Sequence, residues 1–390
     1  MIKKIAIEQF KLGMYVYDLH LVWAEHPFDW HCFLLEDEET KAQILASGIR
    51  EINIDTEQGE DVEVYSELSA LAPTVIVTRT PAEEFEHAKN LYSNANKLMQ
   101  GMMKDIRLGK QIELEQCQPM VAGIVDSMFS SPSALLPLAQ MKNRDEYTFQ
   151  HSVSVAALAV AFGRVLEMPR EEIQELAMGG FLHDVGKAQV PGHILNKPAK
   201  LDDAEFVVMK NHAANTSVLL KEVEGLSEVA FNAAAQHHER FDGTGYPLRL
   251  KGDEISVHGQ MLAIVDVYDA ITSIRVYHKG MPPTEALRKL FEWSGAHFNP
   301  RLVQAFIKGI GIYPAGSLVR MESDKLGIVR EVAVDKLLQP VVQMIYDCKK
   351  MCSLSPEVVD LSASNDKIKS HESFEHWGID QAKWYATERC

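Results

Sequence analysis

Residues 237–247 read HHERFDGTGYP, two adjacent histidines and two acidic residues running into a loop of Gly, Asp, Thr and Pro. The glycines reach backbone conformations closed to other residues, and proline fixes its own φ, so the stretch ends whatever precedes it. What precedes it is FNAAAQ, residues 231–236, a helical pattern that leaves His237 and His238 at a helix end. Taken alone, such a pair is equally a worn helix end with one histidine buried and one exposed. Its purpose depends on the other polar residues that fall on apolar helices.

Several do. His151 lies in FQHSVSVAALAVAF (149–162), His183 and Asp184 close AMGGFLHDVGK (177–187), His212 lies in EFVVMKNHAANTSVLL (205–220), and Asp266 lies in MLAIVDVYDAI (261–271). Each one singly reads as a hydrogen-bonded core residue. Jointly they would need a separate buried compensation on every one of five helices, whereas one shared site satisfies them all. Imidazoles and carboxylates converging in a helical bundle are the ligand set for Fe, Mn, Ni or Zn. The seven groups exceed one tetrahedral ion, and two ions roughly 3.5–4 Å apart, bridged by a carboxylate, serve phosphoryl displacement.

The neighbours fit that chemistry. Asp184 and Lys187 are three apart and share a face on a last helical turn, where a lysine beside a metal pair can hold a phosphate oxygen. Asp266 and Asp269 likewise share a face, and Arg275 follows near the end of that helix, placed to reach a phosphate or a guanine edge.

Composition limits the alternatives. The chain has 390 residues, 46% of them hydrophobic and 24% charged, enough for two or three domains with real cores. No run of about 18 apolar residues appears, and MIKKIAIEQFKLGM lacks an apolar segment followed by a small-residue cleavage site. The expectation is a cytoplasmic protein with no membrane span. Cys32, Cys117, Cys348, Cys352 and Cys390 form no paired framework and read as reduced thiols. A net charge of −16 argues against coating DNA or RNA, so attraction for an anionic substrate must be local, from metal ions or a few placed cations.

Along the chain, MYVYDL and REINID alternate like short strands beside a polar helical stretch, DEETKAQILASG (37–48), a small α+β unit. Thr80 before Pro81, with acidic residues following, starts a helix. Helical signals then run to about residue 310. From 312 to 345 short strands with a turn at Ser323-Asp324 suggest a β appendage, and the last thirty residues read as a polar tail with a short helix near HWGIDQAKWY.

At this point FLHDVGK, QHHERFDGTGYP and DVYDAITSIR together resemble the HD-GYP domain, a bacterial branch of the HD phosphohydrolases, over about residues 143–315. The chain then divides into residues 1–130, similar to an uncharacterised domain often placed ahead of HD-GYP domains, 131–315, the HD-GYP domain, and 316–390, the appendage and tail. The fold class is mainly α, with a small α+β domain first. The resemblance implies a metal-dependent phosphodiesterase that opens cyclic di-GMP or 3′3′-cyclic GMP-AMP to the linear dinucleotide in bacterial signalling. The alternative is a cyclic-dinucleotide sensor that signals through the GYP loop.

Carried over by position, the resemblance implies His151, His183, Asp184, His212, His237, His238 and Asp266 as metal ligands, with Asp184 bridging a binuclear centre. Asp184 and Lys187 become the catalytic pair, with Lys187 on the scissile phosphate. Asp269 and Arg275 become substrate contacts. Gly243, Gly245, Tyr246 and Pro247 form a loop that shapes the pocket wall and presents protein partners. The first 130 residues are candidates for regulation or for a homodimer contact.

Three positions depart from the family pattern. Tyr147 stands where three-metal members carry a glutamate, so two divalent metal ions are expected. His278 stands where a Lys or Arg is common. Asn299 replaces an Asp in GAHFNP, nearly equivalent as a helix N-cap.

Overall fold

In the computed structural model, residues 2–7, 10–18, 33–35, 37, 40–41, 44, 51–56, 58–59, 81–140, 147–275, 278–332 and 336–379 are described. The chain forms two compact units, Met1–Thr78 and Arg79–Cys390. In the first, β1 (Ile2–Ala6), β2 (Tyr15–Asp18), β3 (Phe33–Leu34) and β4 (Glu51–Asp55) build an antiparallel sheet in the order β1-β4-β2-β3. Alternation puts Ile52 and Ile54 on one face, where they pack with Ile5, Met14, Val16 and Leu35. Of the stretch 37–48, Thr40, Lys41 and Ile44 are helical and most of the rest lies outside the described residues.

The second unit opens with α1 (Pro81–Arg107), started as expected by proline with Glu83 and Glu84 in its first turn. Then come α2 (Leu114–Ser130), α3 (Pro132–Gln140), α4 (Tyr147–Val165) and α5 (Arg170–Leu182). A 3₁₀ turn (Val185–Gln189) and the one-turn α6 (Gly192–Leu195) lead to α7 (Asp203–Lys221), α8 (Glu228–Gln236) and α9 (Val257–Thr272). Asp202, Ser227 and Ser256 cap α7, α8 and α9 through their side chains, so the sequence itself marks where the site-bearing helices begin.

The helices over 81–130, expected with the N-terminal domain, pack with the later ones. Ala88, Met99, Val121 and Ile124 share one core with Val153 and Ala156 of α4, and Arg107 of α1 donates to the Ala188 carbonyl in the 3₁₀ turn. Small residues let the central helices approach closely. A Cβ on Gly179 would sit 2.7 Å from the Ala233 Cβ and 2.8 Å from the Ala230 carbonyl of α8, and one on Gly180 would lie 3.2 Å from the Ala156 backbone of α4. The AMGG and NAAA runs therefore bring the C-terminal ends of α5 and α8 together.

Past the short hairpin β5 (Ile274–Arg275) and β6 (His278–Lys279), α10 (Pro283–Glu292) and α11 (Pro300–Ile310) close the helical core. Asn299 caps α11, its Oδ1 accepting from the Arg301 N–H, while its Nδ2 donates to Gln260 on α9, a bond an aspartate could not make.

The C-terminal region departs from expectation. The hairpin of β7 (Leu318–Met321) and β8 (Lys325–Glu331) turns at Asp324 and continues to β9 (Val341–Asp347) as read. Beyond it β10 (Cys352–Asp360), a stretch left unassigned, and β11 (Ile368–Glu372), within the supposed tail, form the two edges of a sheet ordered β10-β9-β8-β7-β11. Edge strands pair on one side only, so β10 tolerates Pro356 and solvent-facing residues that read as coil. A single turn, α12 (Phe374–Trp377), follows, and residues 380–390 lie outside the description.

The tightest approach in this unit is Gly186, where a Cβ would meet the His212 carbonyl at 2.1 Å and the Thr216 amide at 2.5 Å. Gly186→Ala must push α7 away from the 3₁₀ turn. We expect it to lower unfolding stability by about 1–3 kcal/mol, read as a shift in denaturant midpoint.

Candidate metal centre

Two helix ends and three helix faces converge on one buried point. His183 is the C-cap of α5 and Asp184 follows it. His237 is the C-cap of α8 and His238 follows it. His151 projects from α4, His212 from α7 and Asp266 from α9, and all of these except the partly exposed His238 are buried. Helix C-termini carry partial negative charge, so two of them aimed at one point favour a cation there.

The imidazoles are oriented by their own helices. The Nδ1–H of His183 donates to the Gly180 carbonyl at 2.7 Å, that of His212 to Met209 at 2.6 Å, and that of His237 to Ala234 at 2.6 Å. Each bond reaches back three residues and fixes the tautomer, leaving the Nε2 lone pair pointing inward. His151 is held by side chains instead, its Nδ1 bonding Asp269 Oδ2 at 2.5 Å.

Inward, the rings crowd one another, with His238 Nε2 3.0 Å from His212 Nε2 and His183 Nε2 3.3 Å from His151 Nε2. His237 Nε2 and Asp184 Oδ1 are buried without any hydrogen bond, although His212 Nε2 lies 3.4 Å from that oxygen. Buried unpaired acceptors are costly, and a cation removes the cost at once.

Asp184 stands between two sets of imidazoles. Its Oδ2 lies 3.3 Å from His183 Nε2 and 3.6 Å from His151 Nε2 and also takes the Lys187 ammonium, while its Oδ1 faces His212. Asp266 Oδ1 bonds His151 Nε2 at 2.9 Å, and its Oδ2 lies 3.8 Å from His238 Nδ1. Three groups could each hold a metal ion, their donor atoms within 4.8 Å of one another: His212, His237 and His238; His151, His183 and Asp266; His183, Asp184 and His237. They share members, so the centre is continuous. No other such cluster occurs among the described residues.

Electrostatics prepare the same donors. Burial would raise the Asp184 carboxyl, but the Lys187 ammonium, then His183, hold it well below the usual carboxylate range. Burial acts likewise on Asp266 and is overruled by its hydrogen bond to His151 and by the surrounding imidazoles. Burial pushes His212, His237 and His238 down, toward the neutral form that binds metal. His183 goes the other way, because the Asp184 and Asp266 carboxylates outweigh its burial. The donor set thus fits divalent transition ions in chemistry and orientation.

The loop after His238 folds back over it. Gly243 adopts φ 83°, and a Cβ on Gly245 would lie 2.3 Å from the Arg240 amide, so only glycine allows the return. The Tyr246 N–H donates to the His238 carbonyl, and the Tyr246 ring stands 4.7 Å from the His238 ring as a wall of the site. Pro247 continues the chain to Leu248 and Leu250, whose amides bond Glu239 at 2.7 and 3.0 Å.

Asp269 also stands elsewhere than expected. It was read as a substrate contact, yet it is 2% exposed and bonds His151, because residues three apart on α9 put Asp266 on one imidazole nitrogen and Asp269 on the other. The side chains of Tyr147, Arg275 and His278 lie outside the described residues, though Arg275 and His278 pair as backbone in the hairpin. Two supporting residues were missed. Glu239, the third letter of HHE, clamps the loop, and Thr216 accepts from the Gly186 amide while donating to the His183 carbonyl. Thr216 lies four residues after His212, one turn along the same face, which was the signal available.

With the geometry known, relatives can be compared. Residues 134–302 match the HD domain, and residues 2–117 match a domain of unknown function, DUF3391. A cyclic di-GMP phosphodiesterase of Pseudomonas aeruginosa is 40% identical over 97% of this chain and 94% of its own. This chain belongs to the HD-GYP family. A 3′3′-cGAMP-specific phosphodiesterase of Vibrio cholerae is 34% identical over 47% of this chain and 36% of its own. A cyclic di-GMP phosphodiesterase of Thermotoga maritima is 35% identical over 42% of this chain and 45% of its own. No helix among the described residues is long and apolar enough to cross a membrane.

Asp269→Asn keeps size but presents an amide that can donate to His151 Nδ1 and reverse its tautomer. We expect metal affinity to fall about 10- to 100-fold, measured by competition with a chromophoric chelator.

Proposed function

We propose that this HD-GYP chain is a metal-dependent cyclic-dinucleotide phosphodiesterase, acting on cyclic di-GMP or 3′3′-cyclic GMP-AMP in the cytoplasm. The observation that carries the reading is Asp184, whose two oxygens face different imidazoles while Lys187 sits on one of them. A single carboxylate so placed suits a bridge between two ions, with His151, His183 and Asp266 on one side and His212, His237 and His238 on the other. Fe, Mn, Ni and Zn all suit this donor set. Bound there, such ions would polarise the phosphoryl oxygens and lower the pKa of an attacking water.

The chain's own residues supply the remainder. Lys187 is one-fifth exposed, and its ammonium can transfer from Asp184 to a non-bridging phosphate oxygen as charge develops. Tyr246 walls the site beside His238, and Glu239 holds that wall in place. Water adds at phosphorus and the bond to the 3′-oxygen breaks, leaving a linear dinucleotide with a 5′-phosphate. The relative matched along nearly the whole chain acts, by its name, on cyclic di-GMP, which makes that substrate the first to test.

Protein purified without oxygen should contain two divalent ions per chain by mass spectrometry and linearise at least one of the two dinucleotides. Chelation or Asp184→Ala should reduce cleavage to background. A protein that holds two ions yet leaves both dinucleotides intact would instead be a sensor.

A further inference from the structure

One cation beside the site has no role so far. Lys210 lies on α7, four residues after Phe206 and two before His212, and is half-buried. Its ammonium stands 5.2 Å from the centre of the Phe206 ring and 5.8 Å from that of Tyr246, both within cation–π range. Among the described residues it meets no carboxylate, although acidic residues outnumber basic ones 55 to 39 in this chain. Lys197, by contrast, is bound to Glu205, and Lys187 is bound to Asp184.

The ring contacts place it. Tyr246 packs on His238, and His238 on His212, with ring centres 4.7 and 4.9 Å apart. Lys210 therefore stands one aromatic ring outside the candidate ligands, on the wall a substrate must pass. Ring faces hold an ammonium without consuming its three N–H donors or neutralising its charge. A half-buried cation kept in that condition is ready for an anion.

A cyclic dinucleotide has two phosphates, on opposite sides of its macrocycle. Only one can lie over Asp184 and Lys187 for cleavage. The other remains anionic and is brought against a wall where an unpaired charge is costly. Asp184, Asp266 and the ends of α5 and α8 all repel it. Arg240 is exposed and stands near Asp242.

Building on the phosphodiesterase reading, we propose that Lys210, steadied between Phe206 and Tyr246, binds the second, uncleaved phosphate and so selects cyclic dinucleotides over substrates with a single phosphodiester. The test compares wild type, Lys210→Met and Lys210→Arg at matched metal content. Substrates are the preferred cyclic dinucleotide and bis(p-nitrophenyl) phosphate, which has one phosphodiester. In Lys210→Met, KM for the dinucleotide should rise about tenfold with kcat retained, as expected for one charge-assisted hydrogen bond. Lys210→Arg should restore most of it. Kinetics on the single diester should move less than about twofold, which is within the scatter of a surface change.

An unchanged dinucleotide KM overturns the proposal. So does an equal loss on both substrates, which would make Lys210 a support for the loop or the metal centre. If wild type binds the dinucleotide without cleaving it, the hydrolytic reading fails alone, and a tenfold weaker Kd in Lys210→Met still upholds the Lys210 assignment. If wild type neither binds nor cleaves it, both fall, and the wild-type result identifies the shared cause.

Discussion

The whole centre depends on a short hydrogen bond repeated three times, from an imidazole Nδ1–H to the carbonyl three residues earlier on its own helix. It does two things together. It satisfies one polar edge of a buried ring, and it commits the other edge to a lone pair facing inward. Without that commitment, His183, His212 and His237 could turn donors toward one another and toward the carboxylates, and the cluster would close on itself as a hydrogen-bond network. With it, His237 Nε2 and Asp184 Oδ1 are left buried as acceptors with no hydrogen-bond donor. The arrangement is frustrated as a protein core and satisfied as a ligand set.

Holding such a cluster requires rigid surroundings. The Gly179–Ala233 and Gly180–Ala156 approaches bring three helices to backbone distance, and Gly186 with Thr216 locks α7 against the turn carrying Asp184 and Lys187. Large apolar side chains fill the space behind, with Phe162, Tyr268 and Phe306 packed edge to face. Glu239 serves the loop as Thr216 serves the turn. In both cases a polar side chain satisfies backbone groups that irregular structure would otherwise leave unpaired.

Much of this was legible in the sequence because it is local. Helical periodicity, the caps at Asp202, Ser227 and Ser256, and ionisable residues set among apolar neighbours are all properties of short windows. What escaped is set by partners distant in sequence. Asp269 was recognisable as a carboxylate on the Asp266 face, but its bond to His151 spans 118 residues. The helices of 81–130 carry no local sign of which unit they join, since their apolar faces fit any core and only packing against α4 decides. Strand β11 was read as tail and β10 was not read at all, because an edge strand needs apolar residues on little of its surface.

The orientation of the helices also fixes the order in which ligands can arrive. Phosphate sites are commonly built at helix N-termini, where free N–H groups and positive partial charge meet the anion. Here α5 and α8 present the opposite ends, Asp184 and Asp266 are held ionised, and the chain carries a net charge of −16. A bare phosphate approaching this centre meets two carboxylates and two helix C-termini, with Lys187 beside them. A divalent ion meets lone pairs, carboxylates and two helix dipoles of the right sign. Divalent ions held by these residues would reverse the local field and make the centre attractive to an anionic diester. The fold thus favours a cation at this point before an anion, since the ends of α5 and α8 and both carboxylates act in the same sense.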